Sequence, residues 1–136
     1  MIVDVQNKVK LEIPEKYKGI ATAYNTEWGD DNGQAWEISN FIKLTKNKKC
    51  LIDVGSNVGF FSLVFVNNNA EKIDKQSFCF EPSMQGTNIC FEILDHANLH
   101  DKIKLFPQLV GDFTGQVNIL LESQAMTFVV EYEKEH

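Results

Sequence analysis

The residues best suited to chemistry lie in "CLIDVGSNVGFF", Cys50 to Phe61, where an apolar run meets an acid, two glycines and an asparagine. Gly55 can take positive φ or let a ligand approach the backbone with no side chain in the way. Gly59 can let the following helix pack closely on the strand. Asn57 tolerates a left-handed conformation and offers polar contacts. Asp53, at the strand tip, either anchors the loop or faces a cationic group of a ligand. A second acid, Glu81, ends another apolar run, "SFCFEP". At a neighbouring strand tip its carboxylate can accept hydrogen bonds from two ribose hydroxyls.

Two adenosine-bearing cofactors use such a turn. A dinucleotide sets its pyrophosphate on a helix N-terminus through G-x-G-x-x-G. Here the order is G-S-N-V-G: Asn57 replaces the second glycine, and the third falls one place early. The phosphate fingerprint therefore fails. S-adenosylmethionine has no phosphate; its site wants an acid near the turn and another on the ribose. Glu81 serves either cofactor, so the turn decides between them. A third strand tip, near Gln108 to Asp112, should lie beside the adenine, with Asp112 a candidate for its amino group.

The elements that must position these residues follow from periodicity. Cys50–Val54 reads as a short buried strand, and Val58, Phe61, Val64 and Phe65 repeat at helical spacing until "NNN" at 67–69 stops them. After the strand 77–82, Ser83 is a plausible N-cap for a helix carrying Ile89, Cys90, Ile93, Leu94 and Ala97. "KIKLFPQLV", 102–110, reads as a third strand broken or ended near Pro107. Strand, helix, strand, helix, strand implies a parallel sheet. Before it, residues 2–13 alternate loosely as one or two edge strands, 27–34 is a polar loop, and Ala35 to Leu44 carries a helical face. After it come a strand over Gln116 to Leu121, a short strand in "MTFVVEYE", and a frayed "EKEH". The expected organisation is a single domain: N-terminal strands and helix over 1–49, the βαβαβ half over 50–112, and extra strands over 113–136.

Composition narrows the class. The 136 residues are 43% hydrophobic and 24% charged, ordinary for one soluble domain. A net charge of −6 works against a phosphate-backbone partner. The four lysines between Lys43 and Lys49 are read as a solvated helix end. No run reaches membrane-span length, and no signal-peptide core is visible. Three cysteines, Cys50, Cys79 and Cys90, form no CxxC pair. Cys50 and Cys79 read as small hydrophobes, which fits a reducing cytoplasm. His96 and His100 share a helix face with Asp95 and Asp101 nearby, read as exposed polar residues at a helix end. Tyr24, Trp28, Asp30 and Trp36 precede the cofactor strand, where they either pack or cover a pocket.

Three segments in order, "CLIDVGSNVGFFSLVFV", "SFCFEPSMQGTNICFEIL" and "IKLFPQLVGDFTGQVNIL", resemble the FkbM-type S-adenosylmethionine-dependent methyltransferases over about residues 36–121. The pattern is an aliphatic strand into D-x-G-[AS]-N-x-G-[FY], a second strand ending F-E-P, and a third followed by a short G-x-x-x-L strand. The resemblance implies a Rossmann-like class I methyltransferase sheet with Asp53, Gly55, Ser56, Asn57 and Gly59 in the cofactor loop. Ser56 stands where alanine is also common. It implies Glu81, followed by Pro82, on the ribose, and O-methylation of a sugar or small natural product. Such domains continue into a fourth strand with a "K-x-D-x-E-G" type segment, which this sequence lacks. The expectation is therefore a sheet truncated after its third parallel strand and a following short strand or hairpin. Its first strand would lie bare at an edge, covered by the N-terminal segment or by a homodimer. A binding-only remnant of the fold and a nicotinamide-dependent enzyme are the alternatives.

Overall fold

The computed structural model describes residues 1–25, 34–123 and 126–134. The loop expected over 27–34 lies almost wholly outside them, with Trp28 and Asp30.

The centre is a parallel sheet, β3 (Cys50–Val54), β4 (Gln76–Phe80) and β5 (Ile103–Phe106), in the order β3-β4-β5. Leu51, Ser77 and Ile103 stand in register, as do Asp53, Cys79 and Leu105. Because side chains alternate across a strand, these six share one face of the sheet. Helices α3 (Phe60–Asn67) and α4 (Met84–Ala97) connect the strands and pack on that face. The chain is thus α/β with a parallel βαβαβ unit, as its periodicity implies, in the Rossmann-like arrangement that the resemblance implies. Pro107 follows directly on β5, which is shorter than the expected 102–110 run.

Among the described residues, nothing covers the opposite face. Ile52 is 68% exposed and Val54 59% exposed, and Phe80 stacks on Phe106 with ring centroids 5.0 Å apart. β3 is also an edge strand. The run Cys50–Val54 is therefore half-buried at most, not the buried strand expected. Cys50, on the bare face, is exposed, while Cys79 and Cys90 are buried.

The N-terminal segment does not cover that edge. β1 (Ile2–Val5) and β2 (Val9–Glu12) form a separate antiparallel hairpin. Its buried face (Val5, Val9, Leu11) lies against α3 and α4, on the side of the helices remote from the sheet. This explains why α3 buries Phe60, Ser62, Leu63, Val64, Phe65 and Val66, nearly its whole circumference. A helix apolar all round is one enclosed on all sides. A 3-10 turn (Glu15–Tyr17) and α1 (Lys18–Asn25), neither evident in the sequence, follow the hairpin. Tyr17 Oη donates to Glu92 at 2.9 Å, and Glu12 meets His96 at 2.9 Å, tying this layer to α4.

α2 (Gln34–Thr45) brings Ile38 and Ile42 into the core, and Phe41 meets the edge of Phe61. Its C-terminal carbonyls are satisfied from afar. Asn68 Nδ2 donates to the Ile42 carbonyl at 2.7 Å, and Lys75 Nζ donates to that of Thr45 at 2.9 Å. Past β5, β6 (Gly115–Ser123) and β7 (Met126–Lys134) form an antiparallel hairpin longer than expected, and β7 continues into the "EK" of the tail expected to fray. No helix among the described residues is long and apolar enough to cross a membrane.

Candidate functional site

The turn between β3 and α3 is built from both strands. Phe80, which pairs with Val54, offers its carbonyl to two amides, Gly55 N–H at 2.8 Å and Ser56 N–H at 3.2 Å. Gly59 N–H donates to the Ser56 carbonyl at 2.7 Å, closing the turn. Gly55, Asn57 and Gly59 all take positive φ, at 73°, 51° and 81°. Two glycines and an asparagine are the residue types that accept this geometry at least cost.

Glu81 locks the turn to the next element. It is only 5% exposed. Its Oε1 accepts from Asn57 N–H at 2.9 Å, and its Oε2 from Ser83 N–H at 2.8 Å. Both are charge-assisted bonds. A carboxylate carries about four acceptor sites, so capacity for a ligand remains. Ser83 caps α4, its Oγ accepting from Gly86 N–H at 3.1 Å.

Asp53 points to the helix side. Its Oδ2 accepts from Ser62 Oγ at 2.8 Å, and Ser62 also presents its backbone N–H, in the first turn of α3. Burial pushes the Asp53 carboxyl above its usual range; the Ser62 bonds pull it back, and the Glu81 charge adds to the rise. Of the two roles open to Asp53, the anchoring one is visible here.

Gly59 serves a different contact from the one expected. A Cβ there would lie 2.7 Å from Cys90 Sγ, so its missing side chain admits α4 rather than the strand. Gly86, not singled out in the sequence, does the same from the other side. A Cβ on it would meet Ser83 Oγ at 2.7 Å and the Asn57 carbonyl oxygen at 3.0 Å. The only signal for it was a glycine three places after an N-cap serine.

Ser56 is buried with its side chain close to the Cys79 thiol, and among the described residues Asn57 Oδ1 has no hydrogen-bond partner. Gly55 has open space where a Cβ would stand. An open cavity of about 660 Å³ lies beyond the carboxyl ends of β4 and β5, and no residue of the turn lines it. Phe80, Pro82, Gln108, Val110, Phe113 and Val117 are among its lining residues. Asp112 is exposed and is not one of them.

The remaining candidates stand apart. His96 pairs with Glu12, and His100 approaches Asp95 at 3.6 Å and packs on Phe91. Trp36 is half exposed on α2. Tyr24 falls in α1.

No family model matches the sequence, and no curated protein matches it significantly. Among solved structures, the hMettl16 catalytic domain in complex with MAT2A 3′UTR hairpin 1 aligns with a TM-score of 0.46 at 18% identity. The alignment covers 74% of this chain and 31% of that one.

Proposed function

We propose that the turn between β3 and α3 holds S-adenosylmethionine and that the chain serves methyl transfer to a hydroxyl of a sugar or other small molecule. The observation that carries this reading is the closure of Glu81, from the neighbouring strand tip, onto the turn at Asn57. Three further features suit the group. Asn57 Oδ1 is buried with no donor among the described residues, and leaving it so costs about 1–3 kcal/mol that a ligand N–H or O–H would recover. Gly55 leaves room for close approach. Asp53 and Glu81 flank the turn with two carboxylates, which repel a pyrophosphate and favour a sulfonium and an ammonium.

When bound, the cofactor supplies a methyl group on a sulfonium, whose leaving group is neutral. The chain's part is to hold donor and acceptor in line, worth up to about 7–11 kcal/mol of barrier. Glu81 has acceptor sites left for ribose hydroxyls, and the adenine would extend toward the strand tips that Phe80 and Gln108 mark. An acceptor hydroxyl must also lose its proton to a positioned base. The net charge of −6 favours a small-molecule or carbohydrate acceptor over a nucleic acid.

Calorimetric titration with S-adenosylmethionine and, separately, NAD tests this. Binding of the first and not the second is expected, weakened at least tenfold by Glu81→Gln. Heat from NAD alone would reject it in favour of a nicotinamide enzyme. The bare face at Ile52 and Val54 favours a second reading, a domain that binds the cofactor without turnover. A methyl-transfer assay on a panel of sugars and small alcohols separates the two.

A further inference from the structure

Beneath the turn lies a buried polar cluster that the cofactor reading leaves unused. Ser62 is fully buried. Its hydroxyl donates to Asp53 Oδ2 at 2.8 Å, accepts from the Cys79 thiol at 3.0 Å, and lies 2.7 Å from Ser77 Oγ. A serine hydroxyl has one proton and two acceptor lone pairs. With its proton on Asp53, Ser62 must accept from both Ser77 and Cys79, which fills its capacity. Two X–H dipoles thus converge on the Ser62 oxygen, and its own O–H points at the Asp53 carboxylate.

We propose that Ser62 is a positioning residue: it fixes the orientation and the negative charge of Asp53, so that the turn recognises the ammonium of the cofactor's amino-acid end through a side chain that never touches the ligand. This inference rests on the cofactor reading above. A carboxylate held from beneath by Ser62 Oγ and Ser62 N–H keeps acceptor sites for a cation at the mouth of the turn. The groups facing Asp53 are Ser62 from α3, Cys79 and Glu81 from β4 and its end, and Cys90 from α4. Burial and the Glu81 charge both work against its ionised form, and Ser62 opposes them.

The test compares two ligands on the full chain by calorimetry: S-adenosylmethionine, and 5′-methylthioadenosine, which lacks the amino-acid end. Ser62→Ala should weaken the first about tenfold or more, the scale of a lost bond to a charged group, and leave the second within about twofold. Ser77→Ala deletes an equally buried hydroxyl but keeps the Ser62–Asp53 bond, and should change neither. Asp53→Asn should show the same selective loss, and the Ser62→Ala/Asp53→Asn pair should lose no more than Asp53→Asn alone. Should Ser62→Ala not fold, Ser62→Cys, with a weak S–H donor in similar volume, should give an intermediate loss for the first ligand only. Equal weakening of both ligands, a matching effect of Ser77→Ala, or additive losses in the pair would overturn the proposal. Wild-type protein that binds neither ligand sinks the cofactor reading itself, and this inference with it.

Discussion

Glu81 shows how one side chain can hold a fold and present a site at once. Its two oxygens satisfy Asn57 N–H and Ser83 N–H, one in the turn and one at the cap of α4. Gln has the same shape but a single acceptor oxygen, so one buried amide would face an NH₂ group. Glu81→Gln should therefore destabilise the fold by about 1–3 kcal/mol in urea unfolding, apart from any effect on ligand. An unchanged midpoint would show that the clamp is not strained by the loss. Asp53 predicts a pH effect of definite sign. Its folded-state carboxyl lies above the usual 3.8, so the native state binds the proton more tightly than the unfolded chain does. That contribution to stability is full below pH 3.8, falls as pH rises through the raised value, and is then flat. Asp53→Asn keeps an acceptor for Ser62 and removes the titration. Its stability relative to wild type should rise across that window and stay at or above wild type at neutral pH. Parallel pH curves for the two proteins would contradict this.

At the scale of elements, α3 and α4 meet through glycine. Gly59→Ala places a methyl 2.7 Å from Cys90 Sγ at a φ of 81°. Overpacking alone costs about 1–3 kcal/mol, and the left-handed backbone adds about 1–2 kcal/mol. Cys90→Ala removes the clashing sulfur. The double variant should recover the steric share and not the backbone share, so its loss should be smaller than the sum of the two single losses. Additive losses in thermal melts would place the strain elsewhere. The asparagine run after α3 illustrates how far an element reaches. As a sequence it reads as a helix stop, and Asn68 does follow the last turn. Its amide also closes the end of α2 together with Lys75, whose cation lies 4.5 Å over the Phe65 ring. Those distant partners depend on where α2 sits beside α3, which no local spacing encodes.

At the scale of the molecule, α3 and α4 lie between the N-terminal hairpin and the parallel sheet, and among the described residues the far side of that sheet is bare. An edge strand with two exposed aliphatic side chains is a template for pairing. Association that rises with concentration is expected in analytical ultracentrifugation. Ile52→Lys, at a position 68% exposed, should suppress it with little change in stability. Association unaltered by Ile52→Lys would locate the contact on another surface.

Sequence by itself determined the parts whose cause is local. Periodicity and caps placed β3, α3, β4 and α4, and Ser83 caps α4 as its position implies. The glycine–asparagine turn was legible because positive φ restricts residue choice. Tertiary structure decided what faces what. The N-terminal hairpin packs on α3 instead of the β3 edge because both faces of α3 are apolar and the sheet covers only one. Asp53 turns inward because α3 begins beneath it and offers Ser62. Gly86 matters only because the Asn57 carbonyl reaches it from another element. Such contacts join residues far apart in the chain, and burial, not spacing, selects among them.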